Sequence, residues 1–313
     1  MNTSQHTSPV TLSTNTSSLG SVDVRWLIAE YSRQLKVDIS RFVGDLHEIS
    51  VFRCEDTGYS YYHPFSVAGD ASFYEELQRY SWYYMDWKWE HETAKRHVVP
   101  DMHVLEIGCG EGGFLQGLQA SSVGLELNEK AAVTARSKGV AVLTETIQEH
   151  ARRHKGEYDC VCCFQVLEHI AQVHEFITSS IEVLEPGGIL VLSVPNNDSF
   201  IFKEFSPILN YPPHHMGLWS VNSLLGLQKI AAIRVEAVFL EPLQPYHFGY
   251  GADFLAGRLS GPHSSIVRRA AAKLERILLH ELPPLQQMAG ASTSALAPYL
   301  PGHSALMIFG KTA

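Results

Sequence analysis

Two groups of residues in this sequence have the types and spacing to do chemistry. The first is the stretch HVLEIGCGEGGFL, His103 to Leu115. Its Gly108, Gly110 and Gly113 spell G-x-G-x-x-G. Its Gly108, Gly110 and Gly112, with Glu106 two places ahead, spell E-x-G-x-G-x-G. A glycine-rich turn after a strand admits a ligand to the backbone without interference from a Cβ, and the helix that follows begins with unpaired N–H groups. Either pattern makes a cradle for an adenosine-bearing ligand. The second group is three histidines: His169 in LEHI, and His214 with His215 in NYPPHHMGLWS. Histidine exchanges a proton near neutral pH, so each is a candidate general base. Glu168 and His169 have a second reading, as a brace at a helix start. Asn196, at the end of LSVPN, orients a substrate group or terminates a strand.

These residues need elements to hold them, and the pattern from Met102 onward supplies them. Short apolar runs at His103–Ile107, Ser122–Glu126, Val140–Thr144, Asp159–Phe164 and Gly188–Val194 alternate with amphipathic stretches such as Asn128–Lys138 and Gln172–Leu184. Such alternation predicts an α/β fold, a doubly wound and mostly parallel sheet with helices on both faces. The residues EPGG, Glu185 to Gly188, stop a helix and start the fifth strand. Arg234–Leu240 reads as a sixth strand and Ser304–Lys311 as a seventh. The core is expected over 100–241, with 304–313 as its last strand. The intervening 242–303 is too long for an ordinary loop and reads as an insertion or lid, with a helix over Ser264–His280.

Ahead of the core, 23–99 reads as an N-terminal cap. It holds a helix over Val24–Leu46, a hairpin turning at Asp56-Thr57-Gly58, and an aromatic helical segment from Ser72 to Val98 that breaks near Tyr83. Tyr80, Trp87 and Trp89 are its candidates for shaping a substrate opening. Pro212 and Pro213 stiffen the histidine loop, and Ser220 is placed to cap the helix after it. Residues 1–22, dominated by Ser, Thr and Asn without Lys or Arg, read as a disordered tail rather than a targeting segment.

Composition narrows the function. A chain of 313 residues, 45% hydrophobic, suits one large domain or a domain with a subdomain. A net charge of −9 excludes broad non-specific binding to nucleic acid. No apolar run approaches the roughly 20 residues that span a bilayer. The five cysteines, Cys54, Cys109, Cys160, Cys162 and Cys163, form neither the separated pairs of a zinc ribbon nor a small disulfide scaffold. They read as reduced thiols of a cytoplasmic protein. The 264–280 helix carries Arg268, Arg269, Lys273 and Arg276 against Glu275. Closure over an active site is preferred for it to peripheral membrane contact.

Four features choose between the glycine patterns. Glu106 sits inside the first strand, where a dinucleotide fingerprint carries an apolar residue; a carboxylate there suits a cationic amino-acid end better than two phosphates. Glu126 ends the next strand and can accept from both ribose hydroxyls, a feature common to both classes. CCFQVLEHI ends the fourth strand, and VLEPGGILVLSVPN follows at the spacing of one helix and one strand. Together with VLEIGCGEG and VGLELN, these place Met102–Asn197 in resemblance to the class I S-adenosylmethionine-dependent methyltransferases, the broad group that includes the ubiquinone-pathway O-methyltransferases. The ending ALMIFGK resembles that family's antiparallel last strand.

The resemblance implies a seven-stranded sheet and S-adenosylmethionine as cofactor. It sets Glu106, Gly108 and Gly110 along the methionine part, with Cys109, Glu111 and Gly112 completing the loop. Glu126 holds the ribose and Leu127 packs on the adenine; Glu145 or Thr146 contacts the adenine edge, where the family carries Asp or Asn. Gln165 and Val166 line the cofactor. The PPHH…W segment looks like one in bacterial members that act on small polar substrates. Relatives with paired cysteines near the hairpin suggest a zinc site there, but with Cys54 alone the ligands are lacking, and no metal is expected. The expected activity is methyl transfer to a small-molecule acceptor, a hydroxyl of a sugar, quinone precursor or phenol, with His169, His214 or His215 as base. In-line displacement from a sulfonium gains much from positioning. An NAD(P)-dependent oxidoreductase would use the same glycines, against Glu106 and LEPGG. A non-catalytic S-adenosylmethionine-binding module is the remaining alternative.

Overall fold

The chain's N-terminal residues enter a sheet. In a computed structural model, which describes residues 6–80, 83, 88–244, 247, 249–250 and 301–312, Thr16–Asp23 (β1) pairs antiparallel with Glu48–Cys54 (β2). The register runs from Thr16 opposite Cys54 to Asp23 opposite Glu48, with a bulge between Ser18 and Gly20. Over residues 6–22 the structure is ordered where a disordered tail was expected over 1–22; residues 1–5 lie outside the described residues. β1 is largely exposed and needs no apolar face of its own; ladder hydrogen bonds and side-chain pairs hold it, such as Ser21 Oγ donating to Glu48 Oε2 at 2.7 Å. Before it, Val10 is fully buried beside Cys54 and Tyr59. One anchored valine in a polar run is invisible to average composition.

Val24–Leu35 (α1) starts where Asp23 accepts the Trp26 N–H at 2.8 Å, and it buries Val24, Leu27, Tyr31 and Leu35 on one stripe. The helix expected to reach Leu46 stops at Lys36. That residue takes a left-handed φ of 51° and closes the helix by donating to the Ser32 and Tyr31 carbonyls; only the short Ser40–Val43 (α2) follows. The hairpin is where it was expected: β2 pairs with Ser60–His63 (β3), Arg53 opposite Ser60, around a turn with Gly58 at φ 75°. Ala71–Leu77 (α3), capped by Asp70, and Trp89–Lys95 (α4) stand on either side of the expected break; 81–82 and 84–87 lie outside the described residues. Leu27, Tyr31, Tyr62, Phe73 and Leu77 form a core of their own with Met216.

The main sheet contains His103–Ile107 (β4), Ser121–Leu125 (β5), Val142–Leu143 (β6), Tyr158–Phe164 (β7) and Leu184–Pro195 (β8), which pair in parallel. Gly217–Leu218 (β9) instead completes the small sheet, in the order β1-β2-β3-β9. Ile233–Pro242 (β10) and Pro301–Lys311 (β11) bring the main sheet to seven, ordered β10-β11-β8-β7-β4-β5-β6. This is the doubly wound class read from the alternation.

Period-two alternation sends Leu105, Ile107, Val161 and Cys163 into one core and Val104, Cys160 and Cys162 into the other. All five cysteines are free and buried; on β7 they are small apolar fillers of both faces. The EPGG segment is part of β8 rather than its start. The register passes from Tyr158 opposite Leu184 to Cys160 opposite Ile189 across a bulge, and a Cβ at Gly188 would stand 3.0 Å from the Asp159 carbonyl.

The helices between strands are Gly113–Gln116 (α5), Glu129–Ser137 (α6), Ile147–Ala151 (α7) and Val173–Glu182 (α8). Phe200–Phe205 (α9) and Val221–Leu225 (α10) follow β8, and Ser220 caps α10 as expected. The chain forms two compact units, Met1–Pro195 with Ile208–Phe239 and Ala305–Ala313, and Asn196–Pro207 with Leu240–Ser304. In the second, Phe200, Ile201 and Leu243 are buried together, and Asn196 Oδ1 accepts the Asp198 N–H at 3.1 Å, closing a turn after β8. Most of the expected insertion, including the 264–280 helix, lies outside the described residues. Among those described, no helix is long and apolar enough to cross a membrane.

An ordered Val10 has a measurable weight. Val10→Ala is expected to destabilise the protein by about 2 kcal/mol through the methyls removed from a closed core, read as a lower thermal midpoint. An unchanged midpoint would return residues 6–22 to the status of a loose tail.

Candidate active site

The glycine loop resolves its own ambiguity through backbone angles. Gly108, Gly110 and Gly112 take φ of 74°, 54° and 79°, the left-handed region that side chains disfavour. Gly113 is the first residue of α5. The left-handed positions of the turn are thus the three glycines of E-x-G-x-G-x-G. Space is also closed: a Cβ at Gly108 would stand 2.4 Å from Val166 Cγ2, and one at Gly112 2.9 Å from Val140 Cγ2.

Glu126, at the end of β5, holds the turn open. Its Oε2 accepts the Gly110 N–H at 2.9 Å and its Oε1 the Asn128 N–H at 2.7 Å. The N–H groups of Gly108 and Cys109 both donate to the Leu125 carbonyl. Cys109 packs so closely on Gly124 that a Cβ there would stand 2.4 Å from its sulfur. Burial, with Glu106 and Glu126 nearby, pushes its thiol well up.

Glu106 lies on β4 opposite Gly124 and Cys162, 2% exposed. Its Oε2 has no hydrogen-bond partner among the described residues. Burial raises its carboxyl from 4.5 to about 8, with Lys88 pulling down and Glu126 pushing up. An orphaned buried carboxylate under a turn cleared of side chains fits a ligand with a cationic amino group.

The remaining expected cofactor residues divide. Leu127 follows β5 and is 61% exposed, an apolar surface open to a ligand. Gln165 ends β7 with a left-handed φ of 55°, its side chain donating to Ser193 Oγ at 3.1 Å, a strained position of the kind that gathers at functional sites. Val166 closes over Gly108. Glu111 instead pairs with Lys138 at 3.0 Å. Glu145 accepts from His150 Nδ1 at 2.7 Å and pairs with Arg153, and Thr146 caps α7 in a reciprocal box with Glu149. These three side chains are engaged within the protein.

The three histidines, far apart in sequence, meet. Leu167–His169 forms one tight turn after β7, and Met216 N–H donates to the Glu168 carbonyl at 2.8 Å, tying the histidine loop to that turn. The ring centroid of His169 lies 4.7 Å from that of His214 and 5.0 Å from that of His215, which are 4.5 Å apart. Each Nδ1 faces an oxygen: His169 the His214 carbonyl at 2.5 Å, His214 the Leu209 carbonyl at 2.9 Å, His215 the Asn210 carboxamide oxygen at 3.2 Å. An oxygen acceptor at Nδ1 favours the tautomer that carries its proton there. The Nε2 of His214 takes a hydrogen bond from Tyr83 at 2.9 Å.

Burial pushes His169 down to about 4, against opposing hydrogen bonds to the carbonyls of His214 and Gln165, and pushes His214 well down. Glu168 is 1% exposed, and burial raises its carboxyl to about 8. Its Oε1 stands 4.0 Å from Nε2 of both His169 and His215, and its Oε2 has no hydrogen-bond partner among the described residues.

Sequence reasoning named the histidines and missed what surrounds them. Glu168 was read only as a brace, although its position beside His169 was the available signal. Of the aromatic segment, Tyr74 and Tyr83 reach the histidines, whereas Tyr80 turns away to the Leu35 carbonyl. Trp89 packs against the core beneath β4, and Trp87 lies outside the described residues. Nothing in the local sequence marks Asn210 as a partner of His215.

Residues 82–232 match the model of a family described as a methyltransferase domain. That stretch is similar to methyltransferase domains. A ubiquinone biosynthesis O-methyltransferase of Escherichia coli is 31% identical over 104 residues, 30% of this chain and 43% of that protein. The Shigella boydii protein of that name matches to the same extent. The chain thus spans less than half the length of the curated relatives it matches. Among solved structures, a methyltransferase of Thermotoga maritima described as a possible histamine N-methyltransferase is 17% identical, with a TM-score of 0.48 over 77% of this chain and 97% of that one. One from Archaeoglobus fulgidus is 18% identical, with a TM-score of 0.46 over 78% and 100%.

The raised Glu106 carboxyl has a sign that can be measured. Between 4.5 and about 8, the folded chain keeps a proton that the unfolded chain has released, so this group makes the ligand-free protein less stable as pH rises through that window. Glu106→Gln removes the contribution. Its thermal midpoint is expected to fall less than that of the unaltered protein across the window, and parallel pH curves would show Glu106 ionised in the fold.

Proposed function

We propose that the chain transfers the methyl group of S-adenosylmethionine to a hydroxyl of a small-molecule acceptor. The orphaned Glu106 oxygen carries this reading. It lies beneath a glycine turn whose three left-handed residues leave room for a ligand, and S-adenosylmethionine brings the cationic amino-acid end that such a carboxylate lacks. Bound there, the cofactor supplies an activated methyl group on a good leaving group.

The chain's own residues do the holding. Glu106 binds the ammonium, and the backbone of Gly108, Cys109, Gly110 and Gly112 lies along the amino-acid portion. Glu126, which already accepts two backbone N–H groups, has lone pairs left for the ribose hydroxyls. Leu127 covers one face of the adenine. Gln165 and Val166 wall the cofactor toward β7. Glu145 and Thr146 contribute at the adenine edge only by giving up partners they now have, and Glu111 by leaving Lys138.

The acceptor end is the histidine cluster. His169 and His214 are neutral at physiological pH because burial disfavours their charged forms. A neutral imidazole whose Nδ1 is held by an oxygen presents Nε2 as acceptor to a substrate O–H, orienting it and taking its proton as the methyl group arrives. His215, braced by Asn210, completes the set. A sugar, a quinone precursor and a phenol all carry the hydroxyl this arrangement suits.

Tritiated S-adenosylmethionine offered with acceptors of these three classes tests the reading. Transfer is expected to one class, and His169→Ala, His214→Ala and His215→Ala are expected to lower kcat by about 100-fold or more, with the cofactor's Kd little changed. Glu106→Gln is expected to weaken cofactor binding about tenfold or more, the weight of a charge-assisted hydrogen bond. Binding of NAD(H) without S-adenosylmethionine would sink the proposal, and full turnover in all three histidine variants would remove the base.

A further inference from the structure

We propose that His169, His214 and His215 form a three-histidine site for a divalent transition-metal ion of the zinc class, open at a fourth position to an oxygen of the methyl acceptor. The acceptor's place in this statement rests on the function proposed above, with the ion in place of a histidine lone pair engaging the acceptor oxygen; the binding of the ion does not. The cysteine spacing led the sequence reading to expect no metal, and the histidine set exists only because the fold brings β7's end against the loop before β9.

Four observations carry it. Ligand nitrogens of the three residues all lie within 4.8 Å of one another. A tetrahedral ion at about 2.0–2.1 Å from each would bring them to roughly 3.3 Å, an adjustment of side-chain torsions rather than backbone. Second, each Nδ1 is engaged by a carbonyl or carboxamide oxygen. Outer partners of this kind fix the ring and tautomer of metal-ligating histidines. Coordination by His214 Nε2 would replace the hydrogen bond it takes from Tyr83.

Third, the buried Glu168 carboxylate faces Nε2 of His169 and His215 at 4.0 Å, with one oxygen lacking a hydrogen-bond partner among the described residues. A cation placed among the converging imidazole nitrogens and the Glu168 oxygens is stabilised by all of them. Fourth, the donor set chooses the ion. Imidazole nitrogens suit zinc, cobalt and nickel, whereas magnesium and calcium prefer all-oxygen cages. Three protein ligands leave one position for an exogenous oxygen, which points to an acceptor that carries a hydroxyl able to ligate.

The test uses the untagged full chain, stripped with a chelator and titrated with Zn²⁺ alone by calorimetry, with Co²⁺ as a spectroscopic stand-in. One ion per chain is expected, with Co²⁺ giving the intense visible bands of a four-coordinate site. Binding is expected to be lost in His215→Ala and in the His169→Ala/His214→Ala double variant. Asn210→Ala, which removes an outer partner, is expected to weaken it about 10–100-fold. Affinity for S-adenosylmethionine in each variant reports that the fold persists. Failure to bind Zn²⁺ stoichiometrically overturns the proposal, as does a stoichiometric ion retained by the double variant. Stoichiometric, histidine-dependent zinc in a chain that transfers no methyl group supports the metal site and refutes the function. Undiminished methyl transfer by a fully stripped chain keeps the function and overturns the ion's part in holding the acceptor.

Discussion

The Glu126 carboxylate is the clasp on which the arrangement depends. By accepting from Gly110 and Asn128 it fixes a turn that three left-handed glycines would otherwise leave floppy, and it joins that turn to the start of α6. The fixed turn sets Gly108 against Val166. Val166 in turn accepts the His169 N–H at 2.9 Å, and His169 Nδ1 reaches the His214 carbonyl. One side chain at the end of β5 is therefore connected, contact by contact, to the histidine loop before β9. Cradle and cluster share a single mechanical frame.

Burial of charge is the cost of that frame. Glu106 and Glu168 sit at the ends of neighbouring strands with an oxygen each that no described group satisfies. Such groups destabilise a resting protein unless a ligand completes them. Both stand where ligands are proposed, one under the glycine turn and one beside the histidines, and desolvation raises the pKa of both. The protein is in this sense built for its occupied state.

Much of this was legible in the sequence, for physical reasons. The parallel strands announce themselves because both faces are buried, so Cys160–Phe164 of β7 and Ile189–Leu192 of β8 read as continuous apolar runs. The glycine turn and Glu106 were visible because few residue types tolerate those positions. What escaped was decided at single residues: Lys36 in a left-handed cap that shortens α1, Val10 anchoring a polar segment, and Tyr83 and Asn210 oriented by contacts from distant parts of the chain. The meeting of His169 with His214 and His215 is a tertiary fact, settled by where Trp219 and Met216 pack. Local pattern does not carry it.

Cys109 gives the glycine turn one further property. A thiol beside the proposed methyl donor is a hazard, since sulfur is a better nucleophile toward a methyl sulfonium than a hydroxyl is. Its reactive form is the thiolate. Pressed against Gly124 and flanked by two carboxylates, Cys109 is kept as the neutral thiol. Burial and the two neighbouring acidic groups thereby keep this sulfur in its less nucleophilic form.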